Sequence, residues 1–442
     1  QLRRRTHNHQ TAPSIIIMPR RNLLLLVVLT LVAIVCFTRM RKNPYLNVIA
    51  DAIEVIEQRV LEPVGDKQLF EGAMRGMLGQ LDENSLYISQ DDLDAFKEDI
   101  DREFAGVGME IMVDPETSQL AVRSPMEGTP AHRAGILAGD RILAIDDKST
   151  AGMALPDAMA LLRGPEGSPL KLTILHVGEK EPVDLSLVRE IIHVDTVVGD
   201  TRNEDGSWNY SLAGHEGIGY IRIDSFAETT AAELEYVVES LLEQGMRGLV
   251  LDLRDNPGGW LTAAVDVSNF FLSSGVIVTI RRRGGQITES YIATPETSFP
   301  NFPIAVIVNQ ETASAAEIVA ACLQDHKRAA IVGQRTYGKG TVQEVLELRE
   351  GCGAMKLTTA SYWRPSGTDI QRPRDSDNGD WGVKPDKGFE VSLTDDEYVA
   401  WHLWRLNRDA YQRPGEGKEP ATPPLVDRQR AKAVEYVEQL IE

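Results

Sequence analysis

The sequence has little cysteine: Cys36, Cys322 and Cys352 are the three among 442 residues. This number excludes a disulfide-rich scaffold and a zinc ribbon. The sequence also has no HExxH motif, no pair of CxxC motifs and no P-loop. We therefore predict no metal site and no cofactor. A bond between Cys322 and Cys352 stays open, because one sequence does not decide the pairing.

Positive charge is scarce as well, with 46 Lys and Arg against 66 Asp and Glu. Eight of the basic residues lie in residues 1–42, which contain no acid, so residues 43–442 carry a formal charge of −28. A body this acidic repels a phosphate backbone, so nucleic acid is not an expected partner. The apolar fraction of 42% is typical of folded proteins, and the length predicts two to four domains.

Long hydrophobic runs are absent except for one. Leu23–Phe37 is apolar apart from Thr30 and lies between basic residues. Its length of about 15 residues suits the core of a signal peptide and is below the roughly 20 residues of a full membrane span. No A-x-A cleavage site follows the run. We interpret residues 1–42 as a basic segment and an uncleaved single-pass anchor in the cell membrane, with the body on the periplasmic or extracytoplasmic side. A buried helix is the alternative, although no polar face supports it.

Hydrophobic periodicity divides the rest of the chain into four segments. Apolar residues at helical spacing predict a helical domain over residues 43–103. Short β-rich stretches between Gly, Pro and Asp turns predict a compact β-domain over 104–190. Strands and helices alternate through 191–395, which predicts an α/β core with a largely parallel sheet. The remaining segment, 396–442, is predicted to be a C-terminal helical extension with an amphipathic helix over 428–441.

Two polar residues of the α/β core carry the predicted chemistry. Ser314 lies where a strand ending near Val308 gives way to a helix beginning near Ala315, so its hydroxyl faces unpaired N–H groups. Lys339 follows 25 residues later, after a helix and a strand that run similar distances in opposite directions. Burial lowers the pKa of a lysine and leaves a free amine. We therefore predict Ser314 as nucleophile and Lys339 as general base.

The third part of the predicted site is Leu251–Gly259, a strand that ends in Asp-Asn-Pro-Gly-Gly. Its two glycines allow the backbone to approach a ligand closely. The N–H of Gly258 or Gly259 is predicted to form an oxyanion hole together with that of Ala315. Taken singly, these signals have simpler explanations, namely a helix cap, a solvated lysine and an ordinary turn. Their combination favours an active site.

Together these stretches resemble the carboxy-terminal processing (tail-specific) serine peptidases. The nucleophile motif of that family corresponds to Thr312–Ile318 and its lysine motif to Thr336–Gln343, while its Asp-Leu-Arg-x-Asn-Pro-Gly-Gly motif is present whole. The stretches Leu81–Tyr87, Thr359–Gly367 and Gly382–Asp386 extend the similarity over about 350 residues.

The resemblance implies roles for three residues and an overall fold. Ser314 would be the nucleophile, Lys339 the base, and Gln343 would help to hold Lys339. The expected fold class is multidomain α/β, with an α/β peptidase core of ClpP/crotonase-like layering, an inserted PDZ-like β-domain and a helical N-terminal domain. Neither a metal nor an organic cofactor is implied.

The β-domain resembles a PDZ domain, most clearly in Gly128–Asp140. The loop that contains Gly106, Val107 and Gly108 stands where PDZ domains hold the terminal carboxylate of a peptide, which adds as a strand. A purely structural turn is an equal alternative for this loop. Arg163 matches a family position that couples the placement of the PDZ domain to the active site, and a surface arginine that caps a helix is the alternative.

The predicted function is a serine endopeptidase that recognises C-terminal tails of exported proteins through its PDZ-like domain and cleaves them with the Ser314–Lys339 dyad. Its partners would be unfolded or C-terminally exposed proteins and, through the anchor, a membrane. An oligomer or an adaptor protein stays open. The alternatives are a catalytically silent PDZ-type scaffold and a crotonase-like lyase, which would need a nucleotide-binding cleft.

Overall fold

The computed structural model describes residues 22, 25–32, 34, 45–114, 117–203, 206–373, 379–409 and 426–442. The chain divides into two units, Gln1–Met77 and Leu78–Glu442. Of the apolar run predicted to be an anchor, residues 25–32 are helical, and the basic residues on both sides of the run lie outside the described residues. Among the residues that are described, no helix combines the length and the apolar character needed to cross a bilayer.

Besides the helical residues 25–32, the first unit contains Tyr45–Arg59 (α1) and most of Asp66–Leu78 (α2), which ends one residue beyond the unit. No residue of α1 is buried. On α2, Glu71 pairs with Arg75 at 2.9 Å, as expected for oppositely charged residues one helical turn apart.

The second unit begins with a short strand and a helix and continues as an antiparallel β-domain. These elements are Leu86–Ile88 (β1), Gln90–Asp101 (α3), Glu103–Gly106 (β2), Met109–Val113 (β3), Leu120–Pro125 (β4), Pro130–Arg133 (α4), Arg141–Ile145 (β5), Lys148–Ser149 (β6), Leu155–Leu162 (α5), Pro169–Leu175 (β7), Val183–Val188 (β8) and Glu190–His193 (β9). The domain sheet has the order β3-β4-β5-β7-β8, with β6 beside β5, and β2 pairs with β9. Every second residue of β7 is buried, which places Leu170, Leu172 and Ile174 in the domain core with Ala158 of α5.

The α/β core follows, and its central sheet is largely parallel, as predicted. The elements up to the nucleophile helix and its following strand are Val197–Val198 (β10), Thr201–Arg202 (β11), Trp208–Asn209 (β12), Ile218–Ile223 (β13), Thr230–Glu243 (α6), Gly248–Asp252 (β14), Leu261–Phe270 (α7), Val276–Arg282 (β15), Gln286–Ile292 (β16), a 3₁₀ turn at Pro295–Thr297, Ile304–Val308 (β17), Ala315–Asp325 (α8) and Ala330–Gly333 (β18). The sheet order is β10-β13-β14-β17-β18, and only β10 is antiparallel to its neighbour.

The remaining elements complete a second sheet and the C-terminal extension. They are Thr341–Glu347 (β19), Ala354–Trp363 (β20), Asp395–Asp409 (α9) and Arg428–Ile441 (α10). The second sheet has the order β1-β20-β15-β16, with β19 also on β20, and all of its pairs are antiparallel. The alternation of strands and helices in the sequence did not predict this sheet.

Both faces of the parallel sheet are covered. In β14, Leu249 and Leu251 join a core cluster with α6, α7 and α8, whereas Val250 faces a second cluster that contains Ala433 and Val437 of α10. Residues 249–251 are therefore a continuous apolar run, as expected for a sheet buried on both sides. Cys322 and Cys352 are both free thiols.

Candidate active site

Three loops with predicted site residues leave neighbouring strands of the parallel sheet. Residues 253–259 follow β14, residues 309–314 follow β17 and residues 334–340 follow β18. These strands are adjacent and parallel. Because parallel strands all end at the same edge of their sheet, the three loops meet there. The topology thus places the predicted nucleophile, base and oxyanion glycines at the same edge of the sheet.

Ser314 occupies a strained backbone position directly before α8. Its φ of 56° and ψ of −117° lie outside the regions that residues with a side chain normally adopt. Gly258 packs so closely that a Cβ added to it would lie 2.7 Å from Ser314 Cβ and 2.9 Å from Ala315 N. Glycine is therefore required at position 258. Strain that the surroundings maintain is typical of functional sites.

Glu317 connects the nucleophile loop, residues 309–314, to the lysine loop, residues 334–340. Its carboxylate is fully buried and accepts the N–H groups of Ser314 at 2.9 Å, Gly338 at 2.7 Å and Lys339 at 2.8 Å, and the Thr336 hydroxyl at 2.5 Å. Burial raises the pKa of Glu317, and these four hydrogen bonds act in the opposite direction. Motif spacing alone did not reveal this role for Glu317.

Lys339 is half-buried, and burial lowers the pKa of its amine, with a further contribution from the positive charge of Lys356. Glu317 and Glu83 act in the opposite direction. Its ammonium group makes no hydrogen bond or ion pair with the described residues. A partly buried amine with a lowered pKa has the properties required of a general base. Lys356, which lies on β20, was not identified from the sequence.

Tyr362, on β20 of the second sheet, lies close enough to Ser314 for the serine side chain to lower the pKa of the phenol. Tyr362 is 5% exposed, and this burial raises its pKa to about 12. The phenol is therefore neutral at ordinary pH and unsuited to act as a base there. The residue lies within Thr359–Gly367, a stretch that carried the resemblance, but no spacing rule connects it with Ser314.

The predicted oxyanion donors differ in availability. The Gly258 N–H donates to Asn256 Oδ1 at 2.8 Å and is already engaged. The N–H groups of Gly259 and Ala315 have no acceptor among the described residues, and Ala315 stands at the first position of α8, where no intrahelical acceptor exists. The geometry therefore favours Gly259 and Ala315 over Gly258.

Gln343 lies on β19, beyond the lysine loop. Its amide donates to the hydroxyls of Thr341 at 2.8 Å and Thr358 at 3.3 Å. In the described structure its side chain makes no hydrogen bond to Lys339, so its role in holding that residue stays a prediction. Its contact with Thr358 joins β19 to β20.

The predicted carboxylate loop of the β-domain offers two N–H groups. Val107 and Gly108 donate theirs to no group in the described part of the chain, whereas Gly106 is the last residue of β2 and pairs with β9. Gly108 has a φ of 73°, and a Cβ added there would lie 2.3 Å from Thr129 Cβ. Two adjacent free N–H groups in a constrained loop form an anion-binding concavity.

Arg163 follows α5 at the edge of the β-domain. Its guanidinium contacts Glu98 of α3 at 3.0 Å and lies 5.1 Å from the ring centre of Phe104. The structure thus connects Arg163 to the helix before the domain and does not place it among the N–H groups of the carboxylate loop.

A groove of about 1140 Å³ adjoins the lysine loop. Its lining includes Tyr337 and Gly338 on one side and the turn Asp82–Asn84 on another, together with Thr358 and Arg372. The volume is sufficient for several residues of an extended peptide.

Comparison with known proteins agrees with this architecture. Family models described as Peptidase family S41 and PDZ domain match residues 217–388 and 122–175. The carboxy-terminal-processing protease of Bartonella bacilliformis is 37% identical over 362 residues, which cover 78% of both chains. The carboxyl-terminal-processing protease of Synechocystis sp. is 36% identical over 76% of this chain and 75% of its own length. The carboxy-terminal processing protease CtpA of Bacillus subtilis is also 36% identical, over 77% of this chain and 68% of its own. With such identity over three quarters of its length, the chain belongs to the carboxy-terminal-processing serine peptidases of family S41 and carries a PDZ domain.

Proposed function

We propose that this peptidase is an endopeptidase that cleaves protein chains with Ser314 as nucleophile and Lys339 as general base. The observation that supports this most directly is the Glu317 carboxylate, one oxygen of which accepts the N–H groups of both residues. Burial lowers the pKa of Lys339, which increases the fraction of free amine at neutral pH.

The first chemical step joins the serine oxygen to the scissile carbonyl carbon. The Ser314 hydroxyl turns towards Lys339 by rotation about its Cα–Cβ bond, a change between ordinary rotamers. The amine takes the hydroxyl proton as the oxygen attacks. The negative charge that develops on the carbonyl oxygen is stabilised by the N–H groups of Gly259 and Ala315.

The proton then leaves Lys339 for the departing amine, which breaks the peptide bond and leaves an acyl-enzyme. A water molecule, deprotonated by the same free amine, attacks the ester; the C–Oγ bond breaks, Lys339 returns the proton to the Ser314 oxygen, and the new C-terminus is released. Gln343 supports this cycle indirectly, because it ties β19, the strand after Lys339, to Thr358 of β20.

Substrate selection is assigned to the PDZ domain. The N–H groups of Val107 and Gly108 would bind the terminal carboxylate of an unfolded or C-terminally exposed protein, whose chain adds as a strand and continues to the groove beside Lys339. The contact between Arg163 and Glu98 would couple the PDZ domain to α3. The apolar run Leu23–Phe37 and its basic flanks support exported substrates and an anchored enzyme.

Digestion of an unfolded protein with an accessible C-terminal tail tests the dyad. Ser314→Ala and Lys339→Ala should each lose at least a thousandfold in kcat. Ser186→Ala and Lys387→Ala, which alter exposed residues, are the matched controls. Cleavage that persists in Lys339→Ala would remove the proposed base.

The same variants separate the peptidase from a silent PDZ scaffold. In a scaffold, wild type and Ser314→Ala would bind a tail peptide equally and neither would cleave it. For the proposed enzyme we expect equal binding, measured by fluorescence anisotropy, and cleavage by wild type only.

A further inference from the structure

The loop that carries Gly259 is held by side chains from the last two described helices, α9 and α10, and from the capping residue of α10. Arg254 and Asp255 are the second and third residues of this loop. Their side chains contact α9, the capping residue of α10 and the loop that leads to Ser314. None of these contacts involves the residues assigned to bond making or bond breaking.

Arg254 is a buried cation between two carboxylates. It donates to Asp252 Oδ2 at 2.6 Å and makes a two-pronged contact with Asp427, at 3.1 Å to Oδ1 and 2.9 Å to Oδ2. Asp427 caps α10 by accepting the Arg430 N–H at 2.9 Å. Trp401 of α9 covers the guanidinium, 4.2 Å from its ring centre, and donates its indole N–H to Asp427 at 3.2 Å. Paired contacts of this kind fix both distance and orientation.

Asp255 is held in a left-handed conformation, with a φ of 59°. Its Oδ1 accepts from Asn309 Nδ2 at 2.7 Å and from the Tyr398 hydroxyl at 3.0 Å, and its Oδ2 lies 3.2 Å from His402 Nδ1. Asn309 Oδ1 accepts the Asp255 N–H at 3.0 Å. A residue with a side chain keeps this conformation only when its surroundings hold it.

Asp255 is adjacent to a residue whose hydrogen bonds reach both Gly258 and the segment before Ser314. The next residue, Asn256, accepts the Gly258 N–H through its side chain at 2.8 Å and the Ala313 N–H through its carbonyl at 2.9 Å. It thereby joins the candidate oxyanion loop to the residue before Ser314. Small displacements of oxyanion donors lower the rate of the chemical step, because the donors stabilise the transition state only when they point at the position of its negative charge.

We propose that α9 and α10 form a working part of the active site, in which Tyr398 and Asp427 are positioning residues that set the oxyanion loop against Ser314. The inference rests on the proposed function, since it concerns the same serine. Neither residue is a catalytic residue, because neither touches the candidate site. Their removal should impair the chemical step and leave the capture of substrate tails intact.

The test compares Tyr398→Phe and Asp427→Asn with wild type in the full chain. Tyr398→Phe deletes one hydroxyl, and Asp427→Asn keeps a residue that caps helices well. We expect kcat for a tail peptide to fall about tenfold in each variant, with KM and the Kd of tail binding within twofold and with an unchanged folded fraction. Tyr236→Phe and Glu435→Gln, which alter exposed residues, are the controls.

A double variant adds a readout that general destabilisation would not produce. In a protein that already carries Asp255→Asn, the acceptor of the Tyr398 hydroxyl is altered. Adding Tyr398→Phe should therefore lower kcat hardly any further. Unchanged kcat in Tyr398→Phe, additive losses in the double variant, or a loss that matches the unfolded fraction would each overturn the inference. Ser314→Ala is measured in the same assay, and activity of that variant would refute the proposed function. If Ser314→Ala is inactive and Tyr398→Phe has the kcat of wild type, only the positioning role is refuted.

Discussion

Ser314 and Lys339 donate their backbone N–H groups to the same carboxylate oxygen of Glu317, at 2.9 and 2.8 Å. Because each distance is below 3 Å, the two backbone nitrogens lie within about 6 Å of each other. The residues are 25 positions apart in the chain. Their proximity therefore depends on the order of the strands and on one buried side chain.

Glu317→Gln should damage stability and activity together. The amide keeps one acceptor oxygen but places an NH₂ group against backbone N–H donors, so at least one of the four buried donors loses its partner. We expect the free energy of unfolding to fall by about 2–3 kcal/mol in urea titrations, and kcat to fall at least a hundredfold. The exposed Glu243→Gln is the control. A variant with wild-type stability would show that the hydrogen bonds of the Glu317 carboxylate are dispensable.

The pH–rate profile should report the amine of Lys339. The enzyme needs the unprotonated form, so kcat/KM rises as the pH passes upward through the lowered pKa. The charge of Lys356 contributes to that lowering, so Lys356→Gln should raise the pKa of Lys339 and move the rising limb to higher pH. Lys356→Arg, which keeps the charge, should leave the limb in place. An unmoved limb in Lys356→Gln would argue against this electrostatic coupling.

Tyr362→Phe should remain active. The phenol is a neighbour of Ser314, and with a pKa of about 12 it does not serve as the base near neutral pH. We expect kcat within about threefold of wild type, the scale of one weak neutral interaction, and an unchanged pH–rate profile. A hundredfold loss would instead assign Tyr362 a part in proton transfer.

Gly108→Ala should weaken capture of the substrate tail without altering the chemistry. The added Cβ would lie 2.3 Å from Thr129, which forces the carboxylate loop to move. We expect KM for a tail peptide and its Kd to rise at least tenfold, while hydrolysis of a small ester with no C-terminal carboxylate stays within twofold. Gly152→Ala is a matched control, since Gly152 has the same φ of 73° with open space around it. Equal effects of the two substitutions would point to backbone strain alone.

The sequence was most informative where chemistry and fold leave local patterns. The helix Ala315–Asp325 begins where the pattern predicts, and the alternation of strands and helices predicted the parallel sheet correctly. It failed for the antiparallel sheet. Most residues of Gln286–Ile292 are exposed, so the strand has no buried face to mark it with alternating apolar residues. Apart from its first residue, Asp395–Asp409 lies in the segment that was predicted to be a helical extension, but its bounds were not predicted, because its charged residues obscure the apolar spacing.

Local order along the chain was enough to identify a serine before a helix, a lysine between glycines and a glycine pair after a strand, because each depends on neighbours within a few residues. The availability of the Gly259 N–H, the engagement of Gly258 by Asn256, the burial of Glu317 and the approach of Tyr362 emerged only with the folded chain. These features join residues far apart in sequence, and hydrogen bonds and desolvation act through space, so their partners are set by sheet order and packing.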